Sequence, residues 1–281
     1  MKKWHMVVDL AKCVGCYNCL MACKDEHVGN SWLPYTDCQQ HHNENWINPK
    51  RVERGSVPYT ETAFVTQTCQ HCDNAPCAEK CPDAVIKRAD GIVLLDPARA
   101  KGNKNLKDAC PYGNIHWNEE LNTAQKCTMC AHLLDQGWKE PRCVQACPLR
   151  ALSVVYCEDS EFEKMVENQK LKPLTDGSNQ PRVLYRNLYK ANKCFIAGGL
   201  SYMKDGIETA ATEAKIRLSM NGVLLKETYA DFLGEYKIDR LPQNSGTYTL
   251  EFRMDGYQTI VKEVEIKAES PNLGCLMFEK A

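Results

Sequence analysis

The number and clustering of the cysteines constrain this chain more than any other feature. The 281 residues include 17 cysteines, and 15 of them lie between Cys13 and Cys157. An odd, clustered set does not suit a framework of disulfides, whereas closely spaced thiolates are common ligands of metals and metal clusters. The chain up to about residue 157 is therefore expected to fold around metal.

Three runs of cysteines share a compact spacing. The first is Cys-x2-Cys-x2-Cys-x3-Cys, the second is Cys-x2-Cys-x4-Cys-x3-Cys-Pro, and the third is Cys-x2-Cys followed, after twelve residues, by Cys-x3-Cys-Pro; they start at Cys13, Cys69 and Cys127. Three neighbouring thiolates can hold three irons of a cubane, while a fourth, often followed by proline, turns toward a neighbouring cluster. Structural zinc favours two separated pairs of ligands and is the less favoured alternative.

These runs resemble those of the ferredoxin-type electron-transfer subunits of the molybdopterin oxidoreductases, the dimethyl sulfoxide reductase superfamily. That family has four cysteine motifs, of which the first pairs with the fourth and the second with the third. Here the third motif keeps only its last cysteine, Cys110, because Ala100, Asn103 and Leu106 occupy the other three positions. The resemblance therefore implies three [4Fe-4S] clusters instead of four.

The family's pairing rule also implies which cysteines share a cluster. The implied ligands are, for cluster 1, Cys13, Cys16, Cys19 and Cys147; for cluster 2, Cys23, Cys127, Cys130 and Cys143; and for cluster 3, Cys69, Cys72, Cys77 and Cys110. Cys81 loses its three partners and is expected to be a buried or capping residue without a cluster. The remaining four cysteines are expected to be small buried side chains or incidental thiols.

Charged residues beside the runs have two interpretations. Four lysines could offset cluster charge and raise reduction potentials, but solvated surface positions are the preferred interpretation for Lys12, Lys24, Lys80 and Lys126. His71, inside the second run, could donate a hydrogen bond to a sulfide, although a structural role in the loop is preferred.

The C-terminal part of the chain has a different pattern, in which apolar and polar residues alternate. Asn221-Gly222 follows one such stretch and is a strong signal for a two-residue hairpin. The predicted fold is α+β: a bacterial-ferredoxin-like domain over 1–197, with a bridging segment at about 158–197 that includes a helix at 161–170, and an antiparallel β-sandwich over 198–281. The sandwich resembles Cna-B, transthyretin-like and immunoglobulin-like domains.

The sequence supplies no recognisable catalytic acid, nucleophile or phosphate-binding loop, so the chain is expected to carry electrons for a catalytic partner. The degenerate third motif, the segment 126–134 and the appended strands resemble the small subunits of pyrogallol–phloroglucinol transhydroxylases. This implies a heterodimer with a large subunit that holds molybdopterin guanine dinucleotide, with molybdenum or tungsten, and acts on polyphenols. A small subunit of a related reductase, such as a catechol dehydroxylase, and a free-standing polyferredoxin are the alternatives.

Charge and hydropathy exclude other classes. The chain has 35 Lys and Arg residues and 36 Asp and Glu residues. This balance lacks the net positive charge expected of a protein that binds nucleic acid. No apolar run approaches the roughly 18 residues that span a bilayer, and the first residues lack a signal-peptide core. A cytoplasmic location is therefore predicted, with co-export beside a partner that bears a twin-arginine signal as the alternative.

Overall fold

The chain divides into two compact units. The computed structural model describes residues 1–42 and 44–281. The first unit comprises Met1–Arg51 and Ala63–Leu188, and the second comprises Val52–Thr62 and Tyr189–Ala281. The second unit thus begins earlier than the predicted boundary and includes the tip of a hairpin from the N-terminal half.

The predicted boundary at 197/198 lies inside a strand, Lys193–Lys204. Gly198, which follows the predicted boundary, allows close packing within this strand. A Cβ added at Gly198 would lie 2.7 Å from the hydroxyl of Tyr236 and 2.8 Å from the carbonyl oxygen of Gly274. A glycine within a strand often marks such a close approach.

The first unit consists of short elements joined by loops. The strands that lie in it wholly or in part are β1 (Lys3–Asp9), β2 (Ile47–Ser56), β3 (Tyr59–Thr68), β4 (Val85–Lys87), β5 (Val93–Leu95), β6 (His116–Asn118), β7 (Thr123–Gln125), β8 (Leu152–Cys157) and β9 (Val183–Arg186). Its helices are α1 (Asn18–His27), α2 (Pro76–Lys80), α3 (Pro97–Ala100), α4 (Ala131–Asp135), α5 (Arg142–Gln145) and α6 (Asp159–Gln169), with a 3-10 helix at Lys104–Ala109. None of the helices in the described ranges is long and apolar enough to cross a membrane.

One three-stranded sheet joins distant parts of the first unit. β1 lies between β8, to which it is antiparallel, and β9, to which it is parallel. The predicted bridging segment is therefore part of this unit as far as Leu188, because β9 completes its sheet, whereas its last residues, from Tyr189, belong to the second unit. The helix expected at 161–170 is present as α6, where Phe162 packs on Val7 and Leu184.

The second unit is almost entirely β-structure. Its strands are β10 (Lys193–Lys204), β11 (Ile207–Ala210), β12 (Lys215–Met220), β13 (Val223–Tyr229), β14 (Glu235–Pro242), β15 (Gly246–Arg253), β16 (Ile260–Ile266) and β17 (Asn272–Phe278), and a short helix, α7, spans Tyr189–Asn192. β10 pairs with β11, β14 and β17 in one sheet, and the other sheet has the order β13-β12-β15-β16. Alternate residues of both sheets share one core, which includes Ile196, Ile238, Ile216, Leu250 and Phe252.

Two local predictions for the second unit have different outcomes. The hairpin at Asn221-Gly222 is confirmed, since β12 and β13 pair across these residues, whose φ angles are 51° and 79°. The expectation of wholly antiparallel strands is wrong for β17, which runs parallel to β10. The reason is connectivity: β16 belongs to the other sheet, so the chain crosses over before β17 starts.

Candidate metal centres

Each of the three Cys-x-x-Cys runs contains a residue in the left-handed region at the same position. The second residue between the two cysteines has a φ of 69° at Gly15, 45° at His71 and 54° at Met129. This conformation turns the backbone sharply. The shared turn indicates that the three runs fold in the same local way.

The first group of cysteines surrounds a cavity. Cys13, Cys16, Cys19 and Cys147 all line it, and its ≈ 360 Å³ of empty space includes the part that is open to solvent. Burial, and after it the charges of Cys13, Cys147 and Cys16 in that order, raise the pKa of Cys19 to about 12. Electrostatic coupling of this kind requires four sulfurs that are close together.

An aromatic ring lies against the left-handed glycine in the loop of the first group. A Cβ at Gly15 would lie 2.3 Å from ring atoms of Phe64, on β3. The same ring makes an edge contact with Tyr17, with the ring centroids 6.4 Å apart. Phe64 therefore packs directly on the loop that carries Cys13 and Cys16.

The third group lines a second cavity of nearly equal size, ≈ 340 Å³ including the part that is open to solvent, and its cysteines are Cys69, Cys72, Cys77 and Cys110. Burial, and after it the charges of Cys69, Cys110 and Cys77, raise the pKa of Cys72 to about 12. Cys110 is distant from Cys69 in sequence, so the fold brings the last cysteine of the degenerate motif to the second run.

The second group is the most deeply buried. Burial raises the pKa of Cys143 and Cys23 well above the usual value for a thiol, and the charges of Cys127 and Cys130 act in the same direction on both. These cysteines come from α1, the loop before α4, and α5. The structure thus brings together Cys23, Cys127, Cys130 and Cys143.

The second group lies between the other two. The charge of Cys19, from the first group, raises the pKa of both Cys23 and Cys143. The charge of Cys69, from the third group, is the largest contribution after burial to the raised pKa of Cys127. The three groups therefore form a series in the order first, second, third.

The positions at which the third motif lacks cysteine are mostly buried among apolar side chains. Cys81 ends α2 and is 9% exposed. It belongs to one buried cluster with Ala100 and Leu106, each 0% exposed. Two of the three positions that lost their cysteine are thus part of a hydrophobic core that also contains Cys81.

The lysines near the groups differ from one another in burial. Lys12 and Lys80 are exposed, as expected, and the Nζ of Lys24 donates to the carbonyl oxygens of Gln40 and Glu44 at 2.7 and 2.6 Å. The expectation of a solvated residue is wrong for Lys126, which is 2% exposed. Its side chain lines the cavity of the third group because β5 and the adjoining loop enclose it.

One residue next to the second group was not identified from sequence. His27, at the end of α1, places Nε2 at 3.9 Å from Sγ of Cys130. It lies four residues after Cys23, which places both on one face of the helix. That spacing is the sequence signal that would have found it.

The donor sets suit iron–sulfur clusters. Thiolate sulfur is the usual ligand of these clusters, and two of the groups enclose cavities of similar volume. Metal binding requires that each thiol lose its proton. A bound cluster would supply one-electron redox chemistry, while the chain holds, spaces and shields it.

The comparisons with known proteins agree with this chemistry. Residues 60–156 match a family described as a 4Fe-4S dicluster domain. The chain is 41% identical to the pyrogallol hydroxytransferase small subunit of Pelobacter acidigallici over 98% of both chains. It is 30% identical to the electron transfer subunit of the thiosulfate reductase of Salmonella typhi, over 66% of this chain and 92% of that one.

The likeness to solved structures is weak. The minor pilin of Streptococcus agalactiae matches 35% of this chain and 49% of its own at 16% identity and a TM-score of 0.26, which is too low to establish a fold. A ferredoxin-type 4Fe-4S domain followed by a β-rich region is what the family match and the strands support. The identity over almost the whole length shows that this protein belongs to the iron–sulfur electron-transfer subunits of the molybdopterin oxidoreductases.

Proposed function

We propose that the chain holds three [4Fe-4S] clusters and conducts electrons along them to or from a molybdopterin-containing catalytic subunit. The proposed ligands are the three groups of four cysteines described above. Cys81 ligates no cluster. Electrons pass through the groups in the order of their positions, with the second cluster between the first and the third.

The observation that carries this proposal is the separation of twelve cysteines into three groups of four. Each group combines three cysteines close in sequence with one distant cysteine: Cys147, Cys23 or Cys110. The burial of Leu106 and Ala100 beside Cys81 supports the count of three, because apolar side chains occupy the space that a fourth cluster would need.

Iron and acid-labile sulfide analysis of the anaerobically purified protein tests the cluster count. About 12 atoms of each are expected from three four-iron clusters. The Cys110→Ser variant is expected to lose one cluster and retain about 8 irons, while the matched Cys81→Ser variant keeps about 12. Zinc in place of iron, about 16 irons, or equal losses in both variants would contradict the ligand set.

The proposed partner is a large subunit with a molybdenum or tungsten bis-molybdopterin guanine dinucleotide cofactor, which acts on polyphenols. The support is the 41% identity with a small subunit of pyrogallol hydroxytransferase, including the β-rich C-terminal region. This chain contributes the clusters and the partner contributes the substrate site. A reductase that removes a hydroxyl from catechols is the alternative partner.

Native purification under anaerobic conditions distinguishes these possibilities. A copurifying large subunit with molybdenum or tungsten and pterin is expected, and the complex is expected to convert pyrogallol to phloroglucinol in the presence of its co-substrate. Dehydroxylation of a catechol by the complex would favour the alternative. A chain that always purifies alone, with all its iron, would indicate a free-standing polyferredoxin.

Two further proposals concern the fold and role of the second unit and the cellular location of the protein. We propose that its two sheets form a sandwich of the Cna-B or transthyretin-like type, which docks on the large subunit or shields a cluster from water. The shared core of the two sheets supports the sandwich. A cytoplasmic location is tested by fractionation of the native cells, where recovery in the periplasm would favour co-export.

A further inference from the structure

His71 has one ring nitrogen that is buried and without a partner. The side chain is 1% exposed and lines the cavity of the third group. Its Nδ1 accepts a hydrogen bond from the backbone N–H of Val93 at 3.1 Å. Its Nε2 has no hydrogen-bond partner among the described residues. A buried polar atom in this position is costly unless something in the cavity pairs with it.

The contact with Val93 fixes which nitrogen carries the proton. A nitrogen that accepts a hydrogen bond cannot also hold a hydrogen in the ring plane, so the proton of the neutral ring is on Nε2. The ring is therefore neutral and presents one N–H donor that the protein does not use.

Lys126 provides a positive charge beside the same cavity. It lines the cavity with His71, and its ammonium group donates to the carbonyl oxygens of Val93 and, at 3.1 Å, Cys127. No carboxylate in the described part of the chain forms an ion pair with it. A buried ammonium without a counter-ion is strongly unfavourable. A cubane with a 2+ core and four thiolates carries about −2 and supplies the missing negative charge.

We propose that His71 donates a hydrogen bond from Nε2 to a sulfur of the third cluster, and that Lys126 acts as its buried counter-ion, so that together they raise the reduction potential of this cluster. Both are positioning residues rather than ligands. The inference rests on the proposed third cluster. The backbone of Val93 contacts both side chains, because its N–H donates to His71 and its C=O accepts from Lys126.

The direction of the effect follows from charge. Reduction adds one electron to the cluster and makes it more negative. A hydrogen bond to sulfur and a nearby positive charge both stabilise the more negative state, so both favour reduction. His71 gives up no proton in this step, because its hydrogen stays on Nε2. Removal of either group should therefore lower the potential of the third cluster.

Redox titration followed by electron paramagnetic resonance tests this in the full chain, purified anaerobically with its clusters. The signal that the Cys110→Ser variant lacks identifies the third cluster. In His71→Leu and Lys126→Met variants, the reduction equilibrium of that cluster is expected to shift about tenfold toward the oxidised state, which is about 59 mV for one electron. His71→Gln and Lys126→Arg, which retain a donor or a charge, are expected to restore much of the loss.

A matched control is His5→Gln, which changes another buried histidine of the same unit that does not line this cavity. It is expected to leave the potential unchanged. An unchanged potential in His71→Leu and Lys126→Met at full iron content would overturn the inference. If His71→Leu loses iron, Lys126→Met decides alone, because its side chain approaches from another loop. Wild-type protein without a third cluster would instead refute the proposed ligand set.

Discussion

The Gly15→Ala substitution should disrupt the first group of cysteines by a steric clash as well as by backbone strain. Gly15 has a φ of 69°, and an alanine Cβ there would lie 2.3 Å from Cε1 and Cζ of Phe64. The left-handed conformation alone costs an L-residue about 1–2 kcal/mol. Displacement of a packed side chain adds about 1–3 kcal/mol.

The Gly29→Ala substitution separates the two effects. Gly29 has a similar φ of 73°, but an added Cβ there has no neighbour within 4 Å. It should therefore show the strain without the clash. The difference between the two variants, about 2 kcal/mol, corresponds to about a thirtyfold faster loss of the first cluster if the cost falls on the folded state.

The assay is the rate of loss of cluster absorbance in the presence of an iron chelator under anaerobic conditions, together with the iron content. Gly15→Ala is expected to lose its first cluster fastest and to approach about 8 irons, and Gly29→Ala is expected to keep about 12. Equal rates in the two variants would refute the argument, since strain would then account for the whole effect and contact with Phe64 would add nothing.

Three further predictions concern stability. The Arg54→Met substitution removes an ion-pair partner of Asp239, 2.9 Å away, and of Glu61, and is expected to cost about 3–5 kcal/mol in thermal or denaturant unfolding; a double variant that also changes Asp239→Leu should recover part of this, because Glu61 keeps Lys190 and Lys237 as partners, and no recovery would contradict the pairing. Leu106→Ala is expected to lower the free energy of unfolding by about 2–5 kcal/mol, because the Leu106 side chain is 0% exposed. A smaller decrease would indicate that neighbouring side chains move in and fill the cavity left by the leucine. Burial and the charge of Arg182 lower the pKa of His5 to about 4 from 6.5. Between these pH values the unfolded state binds more protons than the folded state, so stability should fall as the pH falls from about 6.5 to 4. The melting temperature of the His5→Gln variant should fall less over the same range.

The cysteine spacing indicates tight loops, but the sequence does not show which residue of each loop turns the backbone. The three Cys-x-x-Cys runs share a left-handed second residue, yet only the first has glycine there, and His71 and Met129 adopt the same conformation. The distant fourth member of each group could not be derived from spacing. It required the resemblance to a family, since Cys147 and Cys13 are brought together by tertiary packing.

Burial of charged residues was the least predictable feature. Lys126 and Lys80 both adjoin a cysteine in the sequence, yet one is 2% exposed and the other lies on the surface. The difference comes from Val93, whose carbonyl oxygen accepts from Lys126. β5 is a strand of only three residues, too short to show a clear hydrophobic pattern in the sequence. Its position beside the cavity of the third group could therefore not be predicted.

The two units depend on different physical sources of stability. The second unit buries alternate residues of two sheets in one continuous core, so its period-two pattern alone carries the information for its fold. The first unit has separate small cores and cavities lined by cysteines. With the proposed ligand set, ligation by Cys19, Cys23 and Cys143 replaces thiols that are buried and hard to ionise with metal bonds. The clusters then become part of the core of this unit. This explains why cysteine spacing, and not hydrophobic periodicity, indicates its fold in the sequence.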